Sequence, residues 1–248
     1  MATTASAPAR ALTPPRINPA ADHRFYSAMA IAMAVTIFTG FGHMALVRHH
    51  AGAPSLSTLL LVHGTVFSLW PLLFIAQTSL VAAHKARIHM KLGLLSTVLV
   101  PVMLVLGAFT ARSIDILESV GNPTRAAFAR SFLTIQLGDL LAFGCLFAAA
   151  FYWRKNKEAH KRLMVLTFIA ILAPGTARLP YINGHGPLWF YGAADLFLVA
   201  GIAYDLFTRR RLHPAYAIGG TLLVLSQPLR IMLAHTAPWQ SFAHWFLS

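Results

Sequence analysis

The sequence predicts an all-α bundle of seven membrane-crossing helices, and three observations lead there. Hydrophobic residues make up 57% of the 248 positions and charged residues 11%, with a mean hydropathy of +0.62, a composition unlike that of a water-facing surface. Apolar runs of about 20 residues recur, each long enough at helical rise to cross ~30 Å of hydrocarbon. Lysines and arginines fall mostly between these runs. Because backbone groups in lipid must be bonded within their own segment, each run reads as a helix and an open sheet is excluded.

Taken in order, residues 1–24 are rich in Ala, Pro and Thr and carry no apolar run. They read as a disordered cytoplasmic tail rather than a signal peptide. The transmembrane domain, 25–236, holds spans at Phe25 to Val47, Ser57 to Ala82, Leu92 to Thr110, Phe132 to Trp153, Leu163 to Ile182, Leu188 to Phe207 and Ala215 to Thr236. Cys145, the single cysteine, falls in the fourth span and reads as a small packing residue. The longest connection, Ala111 to Ser131, contains Gly-Asn-Pro-Thr and is expected to be an external turn with a short surface helix. In the final stretch, 237–248, Trp239, Phe242 and Trp245 are three apart, as in an aromatic stripe lying along the membrane surface.

Charge predicts the orientation. Alternate connections carry Arg10, Arg16, Arg24, Lys85, Arg87, Lys91, Arg154, Lys155, Lys157, Lys161, Arg162, Arg209, Arg210 and Arg211, against Arg48, Arg112, Arg125 and Arg130 on the other side. That excess places the N-terminus in the cytoplasm and the C-terminus outside. A net charge of +13 distributed this way is a topology signal, so a nucleic-acid partner is not expected and the lipid bilayer is. His89 and His160 each open the pattern His-x-Lys/Arg-Leu-x-x-Leu, with Pro101 and Pro174 following. Spans two and three therefore echo spans four and five as a parallel repeat of hairpins.

Ionisable groups inside spans are the informative ones, since each costs about 3 kcal/mol at mid-bilayer unless paired or wet. They are His43, His63, Asp139, Arg178, Asp195 and Arg230, with Asp205 set aside as close to the inner end. In the derived topology they share one level, ~7 to 12 Å below the outer helix ends. Gln136 and Gln227 precede Asp139 and Arg230 by three, and Gly40, Gly175 and Gly192 precede His43, Arg178 and Asp195 by three. That spacing keeps each companion on the same helix face. Two arginines and two carboxylates can neutralise one another, for example Asp139 with Arg178 and Asp195 with Arg230. Such pairs either lock helices together or set an outward pocket for a small molecule.

Neutral imidazole binds haem iron, copper or zinc, and a haem between helices needs two histidines at one depth. His43 and His63 meet the depth requirement. His89 and His160 are weaker candidates because they lie beside cationic loops, where an interfacial histidine is the simpler reading.

The stretch "HGTVFSLWPLLFIAQTSLVAAHKARIHMKLG" (63 to 93), with "AHKRLM" and "DLFLVAGIAYDLFTRRRLHPA" (195 to 215), resembles a group of bacterial multi-pass membrane proteins of unassigned function. The resemblance implies a bacterial cytoplasmic (inner) membrane location. A fainter likeness is to cytochrome b561-type membrane proteins, carried by His63-Gly64 and Ile88-His89-Met90. That likeness implies a helical bundle with two haem b groups held by membrane histidines, although spans four, five and six contain no histidine. Phosphate-loop, zinc-protease and nucleophile-elbow motifs are missing, so enzymatic activity stays open. Three functions remain: a haem-binding or membrane redox protein, a small-molecule carrier or sensor, and a non-catalytic scaffold or assembly factor.

Overall fold

The structure, a computed structural model, describes residues 18–248. It is helical throughout, with no strand among the described residues: α1 (Pro19–His50), α2 (Thr58–Ala82), α3 (Ala86–Gly93), α4 (Ser96–Ser119), α5 (Pro123–Tyr152), α6 (Lys157–Ala170), α7 (Ala173–Thr176), α8 (Pro187–Arg209), a π-helical segment (Ala215–Gly220), α9 (Thr221–Leu233) and α10 (Ala237–Leu247). Six stretches are long and apolar enough to cross a membrane: α1, α2, α3 with α4 (Ala86–Leu117), α5, α8, and Ala215–Leu233. The chain is by that measure a multi-pass integral membrane protein.

Helix starts follow local chemistry. Asn18 accepts from the Ala20 amide, Ser57 from Leu60, Asn122 from Arg125, and Asn156 from Glu158 and Ala159. Each side chain supplies the acceptor that a first helical turn lacks. Pro19, Pro123 and Pro187 sit in the first turns of α1, α5 and α8, where a missing amide costs nothing.

The cap on Asn18 starts α1 at Pro19 rather than Phe25, so residues 19–24, expected in the tail, form its first turns. The rest of that tail, 1–17, lies outside the described residues. The expected long connection at 111–131 is also shorter, because α4 continues to Ser119 and α5 begins at Pro123. Helical hydrogen bonding extends past the apolar stretch at both ends.

The expected fifth span, Leu163 to Ile182, is not one helix. α6 ends at Ala170, α7 makes one further turn from Ala173, and 177–185 run in turns. Pro174 has no amide to give to the preceding turn, and Pro180 lies beyond. The break is tolerated because this segment is enclosed by protein: Val165, Leu166, Thr167, Phe168 and Leu172 are fully buried. α6 is thus the axis of the bundle, packed on α5, α8, α1 and the π-helical segment. Around it Met33, Trp70, Met103, Phe143 and Phe168 form the main core. Outward-facing Val105, Leu141, Leu196 and Phe207 are exposed, as lipid-facing side chains are.

α10 lies against α4 and α5. Trp239 donates its indole N–H to the Arg130 carbonyl at 2.8 Å, Arg112 donates to the Phe246 carbonyl at 2.6 Å, and Ala243 is fully buried. Trp239, Phe242 and Trp245 do form a contiguous aromatic row, with centroids 5.2 and 5.9 Å apart.

Candidate functional site

At the end of the bundle opposite the basic connections, three long helices bring polar groups together. Asp139 (α5) and Arg230 (α9) form a buried ion pair. Tyr191 (α8) donates its hydroxyl to Asp139 Oδ1 at 2.9 Å and accepts from Arg230 Nη1 at 3.0 Å. Arg230 Nη2 donates to Ser226 Oγ at 2.7 Å, one helical turn back. A carboxylate, a guanidinium, a phenol and a hydroxyl thus form one connected cluster in which the two charges are paired, as buried charge requires.

The other expected groups do not join this cluster. Asp195 meets Gln227, whose amide nitrogen donates to Oδ1 at 3.0 Å, rather than Arg230. Arg178 meets no carboxylate among the described residues: it donates to the Pro174 carbonyl at 2.7 Å and lies over the Phe41 ring at 4.6 Å. Neither illustrative pair, Asp139 with Arg178 or Asp195 with Arg230, is formed. The cause is packing: α5 faces α9, whereas the broken segment bearing Arg178 follows α7, which packs on α1 and α8. Gln136 lies next to the cluster in sequence, but its side-chain oxygen is buried without a hydrogen-bond partner among the described residues.

His43 donates from Nδ1 to the Arg178 carbonyl at 2.8 Å, holding the chain where the helix has broken. This leaves Nε2 as the lone-pair nitrogen. His63 stacks on Phe67 at 4.1 Å, with a buried Nδ1 that finds no partner among the described residues. His89 and His160, 71 positions apart, approach with ring centroids 6.5 Å apart, and His160 donates from Nδ1 to the Ala150 carbonyl at 2.8 Å. Among the described residues no three or more His, Cys, Asp or Glu are grouped to hold a metal ion.

The sequence reading missed a second charged cluster at the basic end. Arg162 and Asp205 are both fully buried and form a bidentate pair, with Nε to Oδ2 at 2.7 Å. Glu158 bonds Arg162 and Arg209, each at 2.8 Å, and Asp22 bonds Lys161, Arg209 at 2.9 Å and the Tyr204 hydroxyl at 2.9 Å. α1, α6 and α8 are tied through it. Burial alone would raise the Glu158 carboxyl, but the hydrogen bonds from Arg162 and Lys161 outweigh it and hold the group down at about 2. The spacing Glu158–Arg162, one helical turn, was the available signal. In sequence Arg162 reads as a loop cation and Asp205 as a residue of the inner helix end.

A groove of about 920 Å³ runs along α5, walled opposite by the π-helical segment and α9, with Ala159 and Leu163 of α6 also lining it. Thr134, Ser226 and Arg230 line it near the Asp139 cluster, and Asn156, His213 and Trp153 line it near the basic end. Between them the walls are apolar, and the exposed Cys145 lies there. Burial, and then the positive charge of Arg162, hold His213 below its ordinary value. No model of a known protein family matches the chain, and neither a curated protein nor a solved structure does.

Proposed function

We propose that this chain is a seven-crossing protein of the bacterial cytoplasmic membrane, with its N-terminus inside, that carries or senses a small molecule in the groove between α5 and α9. The observation that carries this reading is the position of Arg230: it belongs to the buried cluster with Asp139 and Tyr191 and also lines the groove. A largely apolar cavity of a few hundred to about 1,000 Å³, with a few fixed polar groups at one end, is the usual form of a small-molecule site. In the orientation given by the Lys and Arg excess, that end lies in the outer leaflet. α6 with α7 supplies the seventh crossing. A thermal-shift screen tests the reading: a ligand should raise the melting temperature of the wild type and not that of an Asp139→Asn, Arg230→Gln double variant. Equal shifts in both proteins would reject it.

A haem-binding or redox role is the second reading, favoured by one observation. His43 has its Nδ1 proton committed to a backbone carbonyl, which orients the ring and frees Nε2, as ligating histidines commonly are. Protein expressed with added haem should then show a Soret band that is lost when His43 and His63 are both changed to Ala. A colourless, metal-free preparation would remove this reading.

A further inference from the structure

Resting on the ligand-binding reading above, the groove's walls and its polar end specify the ligand's chemistry. Arg230 has five N–H donors. Three hydrogen bonds are given to protein, from Nη1 to Asp139 and Tyr191 and from Nη2 to Ser226. Nε–H and the second Nη2–H meet no acceptor among the described residues. The groove's end therefore offers donors, and the group that fits there is an acceptor oxygen.

Its charge follows from Asp139. The carboxylate already neutralises the guanidinium, so an anionic head would bring a second negative charge into a low-dielectric site with nothing left to balance it. A neutral carbonyl oxygen takes the free donors without that cost. Ser226 does not change this, since its hydroxyl already donates to the Leu223 carbonyl at 2.6 Å.

The rest of the groove asks for a chain. Its lining extends along α5 from Thr134 to Trp153, about 28 Å at helical rise and close to the hydrocarbon thickness of a bilayer. Leu141, Ile218 and Leu222 are each more than 60% exposed along its rim, so the groove opens sideways toward lipid tails and needs no aqueous mouth. We infer that it binds a neutral, single-chain amphiphile lying parallel to the helices. A carbonyl-bearing head (ester, amide or ketone) sits at Arg230, an acyl or isoprenoid chain lies against α5, and entry is from within the membrane.

The test uses the purified full chain in maltoside micelles with three photoreactive probes sharing one chain: a palmitoyl methyl ester, palmitate and hexadecane, each with a mid-chain diazirine and at equal mole fraction. The ester should label peptides within 134–153 and 215–233 at least fivefold more than the remaining lipid-facing helices, and more than either other probe does. Leu222→Trp, an exposed rim change that leaves the ion pair intact, should abolish that preference, and Asp139→Asn with Arg230→Gln should reduce the ester to the level of hexadecane. Even labelling of all outer helices, or equal groove labelling by all three probes, overturns the inference, as does preference for palmitate. If a water-soluble compound without a chain still raises the melting temperature through Arg230, the broader ligand-binding reading stands while this one falls. If neither probes nor soluble compounds bind, both fall.

Discussion

Gly138 and Arg230 share a space with no room for a methyl group: a Cβ at 138 would overlap Arg230 Cδ and lie 2.7 Å from its Nε. The guanidinium cannot retreat, since it is held by Asp139, Tyr191 and Ser226. Gly138→Ala should therefore destabilise the fold by about 1–3 kcal/mol, the usual cost of overpacking, and should weaken any ligand shift. Gly64→Ala is the control, because nothing lies within 4 Å of its added methyl. Equal melting temperatures for the two variants would contradict the assigned geometry.

Asp139 and Arg230 are expected to be coupled. Asp139→Asn alone leaves a buried guanidinium without its counter-ion and should cost about 3–5 kcal/mol. Joining it to Arg230→Gln should recover much of that loss. A double-mutant cycle measured by chemical denaturation in micelles checks this, and strictly additive losses would mean the pair does not exist in solution.

At the break beyond α6, a Cβ at Gly40 would overlap the Gly175 carbonyl oxygen, and that contact is backbone rather than a movable side chain. Gly40→Ala should push α1 from α7 and strain the His43 bond to the Arg178 carbonyl. Gly42→Ala, two positions away in open space, should be nearly silent. Proteolysis of the 177–186 turns reads the difference, with faster cleavage expected in Gly40→Ala only.

The pH dependence at the basic end follows from Glu158. Its folded value, about 2, is below the ordinary value of 4.5, so its stabilising contribution is fully present above about 4.5 and is lost as pH falls toward 2. The wild type should melt above Glu158→Gln at neutral pH, and the gap should close between pH 4.5 and 2. A gap constant across that interval would show that Glu158 is not engaged by Arg162 and Lys161. The group is partly exposed, so the effect should also shrink in high salt.

The spans were legible because each long apolar run faces lipid on one side, and hydropathy records that exposure directly. α6 was only half legible: protein covers Val165 to Leu172, so the hydropathy that marks a lipid-facing helix does not report where it stops. In-span charge identified Asp139 and Arg230 as a site, while their pairing depended on which helices touch, a property of the assembled bundle. Tyr191 carries no mark of the site in the sequence, because only the fold turns its hydroxyl toward Asp139. Arg162 and Asp205 were hidden for the opposite reason: they sit beside basic loops, and charge near a loop looks solvated until neighbouring helices close over it.

The enclosure of α6 has a consequence for biogenesis. Among the described residues it is not one of the stretches long and apolar enough to cross a membrane, and it carries Arg162, which Glu158 and Asp205 neutralise. As it leaves the insertion machinery, its stable surroundings are the helices on either side of it in the sequence, and Asp205 arrives only when α8 has been made. The segment at the centre of the finished molecule thus has its buried charge compensated, and its surface covered, by protein that the chain completes around it afterwards.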